Sequence, residues 1–137
     1  MTVRLAWLVG LVFAGALLAS CGESAKPGAV HFLRTSDEVG PVMEQYIDRG
    51  ITRAENSQAK LVVIELDTPG GREDSMRSIV QRIERAKVPI VVYVYPGGGR
   101  AASAGTFITM AANVAVMAPN TSIGAASAVN SDGSDIG

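Results

Sequence analysis

An α/β fold with a mainly parallel sheet is what this sequence predicts, and three observations carry the prediction. Short β-branched runs alternate with segments whose apolar residues recur at helical spacing, as where Leu61–Leu66 is followed by Met76, Ile79, Val80 and Ile83. Two of these runs, Leu61–Leu66 and Ile90–Tyr95, end in glycine-rich turns. The 137 residues are 47% hydrophobic but only 5% aromatic and include 15 glycines, so small residues and tight turns dominate. That length fits one domain at most.

The first 20 residues read as a secretory signal: one cation, Arg4, then an apolar run from Leu5 to Leu18. The run is short for a membrane-spanning helix, which needs about 20 residues. It ends in Leu18-Ala19-Ser20-Cys21, which resembles a bacterial lipobox, and that resemblance implies lipidation of Cys21 and export to a membrane surface. Residues 21–28 read as a polar linker containing Gly and Pro. Residues 29–137 form the expected domain.

Within the domain, Val30–Leu33 suits a first strand, and Ser36 or Asp37 precedes a helix marked by Pro41, Val42, Met43, Tyr46, Ile47 and Ile51. Leu61–Leu66 is nearly continuous in apolar residues, like a strand buried on both faces. A second amphipathic helix closes before Pro89, and Ile90–Tyr95 is the next strand. A helix from about Ser103 to Ala112, a strand at Val114–Met117 and a short strand near Ile123–Ala126 complete the order.

Several functions are excluded on composition and spacing. A net charge of −1 offers no basic face for nucleic acid. One cysteine excludes an internal disulfide or a multi-cysteine zinc site. Gly97-Gly98-Gly99-Arg100-Ala101-Ala102 has the form G-x-G-x-x-A, but no acidic residue follows before Asp132 to hold a ribose, and no Lys-Ser or Lys-Thr follows to make a phosphate loop. Ala101–Ala118 carries no charge, but its Ser, Thr and Asn residues suit a buried helix and strand better than a membrane span. Asp67, Glu73 and Asp74 fit a turn and a helix start better than a metal cluster. Neither a metal nor an organic cofactor is expected.

Ser103 lies where a strand, a glycine loop and a helix meet, among Ala101, Ala102, Ala104 and Gly105. Such a junction suits a nucleophile held on a sharp turn, although a serine before a helix is commonly an N-cap. Joined to Leu66-Asp67-Thr68-Pro69-Gly70-Gly71, the run Gly99–Gly105 resembles the ClpP-class serine peptidases. With Tyr93–Pro96 and Met117–Ala126, the chain is similar to the NfeD-type membrane-associated serine proteases of that class.

The resemblance implies a ClpP/crotonase-like fold of stacked β-β-α units, incomplete at the C-terminus, and a homo-oligomer. It implies that Ser103 is the nucleophile, that Gly71 and Ala104 N–H groups form an oxyanion hole, and that Gly70, Gly99 and Arg100 shape the substrate loops. Stomatin-like membrane proteins are the implied substrates. The family's base is a lysine downstream of the serine, at a position past Gly137, and Lys26, Lys60 and Lys87 match no base position. His31, the only histidine, reads as a strand residue. The chain is therefore expected to be the front of a longer protease, inactive by itself. A membrane-tethered peptide-binding scaffold is the alternative, and a crotonase-type acyl-CoA enzyme lacks its expected carboxylates.

Overall fold

The computed structural model describes residues 28–127. Cys21, Lys26 and the signal-like segment lie outside them. Six strands and three helices follow in the order β1 (Val30–Thr35), α1 (Pro41–Asn56), β2 (Leu61–Leu66), α2 (Glu73–Glu84), β3 (Ile90–Val94), β4 (Arg100–Ala102), α3 (Ala104–Met110), β5 (Val114–Met117) and β6 (Ser122–Gly124). β1, β2, β3 and β5 form a parallel sheet in that order, with Val30 opposite Leu61 and Val62 opposite Ile90. β4 leaves that sheet and pairs in parallel with β6.

Apolar spacing explains the layers. Met43, Ile47, Ile51 and Ala54 form the buried stripe of α1, and Ile79 and Ile83 that of α2. They meet Val62, Ile64, Leu66, Ile90, Val92 and Val94, which point to one face of the sheet and are fully buried. Each such aliphatic side chain contributes about 1.5–3 kcal/mol by leaving water. Leu61, Val63 and Glu65, on the other face, are only half-buried. The expectation that β2 is covered on both faces thus gives way to alternation, because α1 and α2 cover one face alone. Arg82 of α2 clasps α1, meeting Asp48 at 2.8 Å and Glu55 at 3.0 Å.

β1 runs on to Thr35, β3 ends at Val94, α3 is shorter than Ser103–Ala112 and the last strand is Ser122–Gly124; two further features depart from the sequence reading for reasons of pairing. α1 starts at Pro41, with Gly40 and neither Ser36 nor Asp37 as its N-cap, because Val39 is held extended by a bridge to Gly71. β4 has no counterpart in the sequence pattern, since Arg-Ala-Ala has little strand preference; it forms because Ala101 pairs with both Thr68 and Ile123. The uncharged stretch Ala101–Ala118 is thereby divided among β4, α3 and β5. Among the described residues no helix is long and apolar enough to cross a membrane.

Candidate active site

All four strands of the main sheet are parallel, so the turns after β1, β2 and β3 gather at one edge, where open α/β sheets place their ligands. Ser103 stands there between β4 and α3 with φ 50° and ψ −116°. An L-residue in that conformation stores on the order of 1–3 kcal/mol of strain. The surrounding bonds hold it: Ser103 N–H donates to Gly124 O at 2.8 Å, and Thr106 N–H donates to Ser103 O at 2.9 Å. Thr106 Oγ1 shares its proton between Ala101 O at 3.0 Å and Gly124 O at 2.9 Å. The Ser103 side chain is exposed and makes no capping hydrogen bond to α3, so the N-cap explanation for this serine fails. Gly105 lets α3 seat against the loop after β2, for a Cβ there would stand 2.5 Å from Thr68 Cγ2.

The loop after β2 is built to abut that turn. Thr68 is fully buried; its N–H donates to Arg100 O at 2.7 Å and its carbonyl accepts Ala102 N–H at 3.1 Å. Thr68 Oγ1 accepts the Gly70 N–H at 3.1 Å and tightens the turn. Gly70, at φ +108°, lies so close to Ser103 that an added Cβ would be 2.7 Å from Ser103 Cβ and 3.3 Å from its Oγ. Gly71, at φ +151°, has Val39 N and O and Glu38 Cγ where a Cβ would stand. Val39 N–H donates to Gly70 O at 2.7 Å and Arg72 N–H to Val39 O at 2.8 Å, so alternation turns the Gly71 N–H away from Val39. Among the described residues neither the Gly71 nor the Ala104 N–H donates a hydrogen bond. Two loops thus bring a hydroxyl and two unspent N–H donors to one sheet edge. Gly99 is buried, packed against Pro96 O and the Asp67 carboxyl, whereas the Arg100 side chain is exposed.

The family whose model matches residues 29–137 is described as NfeD1b, N-terminal domain. The chain belongs to this family. It is 58% identical to the membrane-bound protease PH1510 of Pyrococcus horikoshii over 78 residues, 57% of this chain and 18% of that protein. A solved lysine-to-alanine variant of the 1510-N membrane-bound stomatin-specific protease, in complex with a substrate peptide, is 42% identical with a TM-score of 0.74, over 80% of this chain and 52% of that one. The ClpP protease catalytic domain of Plasmodium falciparum, 18% identical over 69% of this chain and 53% of its own, has a TM-score of 0.63 and shows the ClpP-like fold. The chain spans about half the length of these solved relatives.

For a member of this family, the sequence candidates other than the two loops fall away from the site. His31 is opposite Val62, near the start of the sheet, and its Nε2 lies 3.1 Å from Ser57 Oγ. Ser57 Oγ also donates to Ala54 O at 3.1 Å, so His31 is engaged with the end of α1, at the edge opposite Ser103. Lys60 and Lys87 precede β2 and β3, at the edge opposite Ser103. Six residues of strand span about 20 Å, beyond the reach of a lysine side chain. The three acidic residues are each engaged: Asp67 with Arg100 N–H, Glu73 with Arg77, and Asp74 with Arg72, whose guanidinium holds the Asp74 carboxyl below its ordinary pKa.

Sequence reasoning missed Val39, Glu38 and Thr106. Val39 and Glu38 reach Gly71 only through tertiary pairing, which leaves no local mark. Thr106 could have been noticed as a hydroxyl one helical turn after Ser103. A cavity of about 660 Å³, lined among others by Thr35, Val39, Met43 and Tyr46, opens between β1 and α1 and does not include Ser103.

Proposed function

We propose that this chain forms the nucleophile-bearing part of a membrane-tethered serine endopeptidase of the Ser-Lys type, acting on stomatin-like or other membrane-associated proteins. What supports the reading is Ser103 on its strained turn, against Gly70, together with the unspent N–H groups of the neighbouring residues Gly71 and Ala104. Ser103 Oγ attacks the scissile carbonyl and its proton passes to a lysine downstream of the described residues. The carbonyl oxygen becomes an oxyanion, which the two N–H donors stabilise, and the amine leaves with the proton. Water then releases the acyl group from Ser103. Gly70 lets the peptide come close, and Gly99 and Arg100 shape the opposite rim.

The solved stomatin-specific relative, in which a lysine is replaced by alanine and a substrate peptide is bound, supports both the base type and the substrate class. The Leu18–Cys21 motif supports a lipid tether at Cys21 on an extracytoplasmic membrane face, and the fold class supports a homo-oligomer.

A second reading, a scaffold that binds peptides without cutting them, is favoured by one observation: no candidate base lies beside Ser103 among the described residues. The two part in one experiment. The chain extended downstream to the next lysine-bearing helix is expected to cleave a stomatin-like peptide and to lose this with Ser103→Ala; binding without Ser103-dependent cleavage in the extended form supports the scaffold. Cys21→Ser is expected to move the protein out of the membrane fraction, and unchanged fractionation refutes the tether.

A further inference from the structure

We propose that Asp67 is a positioning residue for Ser103, its carboxylate serving as a side-chain rung that sets where β4 lies. The proposal rests on the reading of Ser103 as the nucleophile. Its starting point is a conflict: a carboxylate on the same loop as Gly71, a proposed oxyanion donor, works against a second negative charge there, so Asp67 needs a reason to be on that loop. The reason lies in how β2 changes partners. Up to Leu66 the chain pairs with β3, and Tyr95 N–H donates to Leu66 O at 3.2 Å. From Thr68 it pairs with β4 instead, through Arg100 O at 2.7 Å and Ala102 N–H at 3.1 Å. At the crossover the Arg100 N–H has no backbone acceptor, and Asp67 Oδ1 takes it at 2.9 Å.

Three successive rungs follow: Asp67 Oδ1 with Arg100 N–H, Arg100 O with Thr68 N–H, and Thr68 O with Ala102 N–H. The next residue is Ser103, whose φ of 50° is unfavourable and persists only while its neighbours fix it. The carboxyl also explains a bare α-carbon: a Cβ on Gly99 would stand 3.3 Å from Asp67 Cγ and 2.8 Å from Pro96 O. What the position needs is thus an acceptor at the length of an aspartate, and asparagine meets that need without the charge.

The test compares Asp67→Asn and Asp67→Ala, in the chain extended downstream to the proposed lysine-bearing helix, by amide hydrogen exchange and by labelling of Ser103 with a fluorophosphonate. Asp67→Ala is expected to raise exchange at Arg100, Ala102 and Ser103 by about tenfold or more, the loss expected for a hydrogen bond to a charged group. The amides of Ile64 and Val92 keep their protection, and Ser103 labelling slows about tenfold. Asp67→Asn restores both readouts to within about twofold. If Asp67→Ala does not fold, Asp67→Ser, too short to reach the Arg100 N–H, takes its place with the same expectations. Unchanged exchange at Arg100, Ala102 and Ser103, a rise spread evenly over the sheet, or an asparagine variant that behaves like the alanine one each overturns the proposal. Absence of labelling in the unsubstituted extended chain would count against Ser103 as nucleophile, and the exchange pattern then decides the role of Asp67 by itself.

Discussion

Replacing Gly70 by alanine tests whether the two loops really close on Ser103. The new methyl would stand 2.7 Å from Ser103 Cβ and 3.1 Å from Ala102 O, on a backbone at φ +108°. Two costs arise. An L-residue at that φ is strained by on the order of 1–3 kcal/mol. A methyl forced into an occupied space costs about 1–3 kcal/mol more, because two backbone segments must part.

Gly98→Ala separates the two costs. Gly98 also has a positive φ, +88°, but nothing stands within 4 Å of its Cβ position, so only strain applies. Gly70→Ala is therefore expected to lose about 3 kcal/mol or more and Gly98→Ala about half that. In a domain of this size, 3 kcal/mol corresponds to a fall in Tm of roughly 12–24 °C. The assay is thermal unfolding of both variants, paired with fluorophosphonate labelling of Ser103 in the chain extended downstream to the proposed lysine-bearing helix. A shift of about 1 Å at a reacting atom can cost about 10²-fold in rate, so labelling should collapse in Gly70→Ala and survive in Gly98→Ala. Equal Tm losses in the two variants would refute the contact between the loops.

Three further outcomes are expected. Ser103→Gly should raise stability by about 1 kcal/mol in urea unfolding while ending all labelling, since glycine tolerates the backbone that serine endures; a loss of stability would remove the case for strain. Thr106→Val should lower stability by about 1–2 kcal/mol and raise exchange at the Ser103 amide, because the hydroxyl shared by Ala101 O and Gly124 O is gone; an unaltered Ser103 amide would disprove the latch. Glu55 is held below its ordinary pKa of 4.5 first by the Arg82 hydrogen bond, against desolvation and with help from the Lys87 N–H. The folded value lies below the unfolded one, so the clasp's contribution is full above about pH 4.5 and lost as pH falls through the depressed value. Glu55→Gln should thus cost about 1–2 kcal/mol at neutral pH and less in acid, and a deficit that grows toward acid would contradict this.

How much was legible in the sequence varies along the chain with the range of the forces at work. β2 was delimited correctly because a β-branched run between Lys60 and Asp67 marks its own ends, and β5 because Asn113 precedes it and Pro119 follows soon after. The helical stripes were equally plain, since Ile47 and Ile51, or Ile79 and Ile83, need only a 3.6-residue period. The site was half visible. Glycines and small residues announced the two turns, and the ClpP-like pattern joined them. What stayed hidden was everything fixed by partners far away in the chain: Val39 against Gly71, Thr68 against Ala101, and Asp67 against the Arg100 N–H. Ser103 itself looked like a helix cap from its neighbours, and only its φ and its idle hydroxyl separate it from one.

For a chain tethered through Cys21, as proposed above, the uniform direction of the main sheet would also set a height above the bilayer. β1 enters at the edge opposite Ser103, so a lipid on Cys21 would pull on the far end of the domain. The seven residues Cys21–Pro27 reach at most about 25 Å when drawn out. The six-residue strand that follows adds about 20 Å before the turns begin. The proposed proteolytic site on such a leash would work in a band roughly 20–45 Å from the headgroups, on stalks and juxtamembrane segments rather than on chain embedded in hydrocarbon. Doubling the leash should shift the cut sites of a tethered substrate outward; sites that stay put would show that height plays no part in the choice of bond.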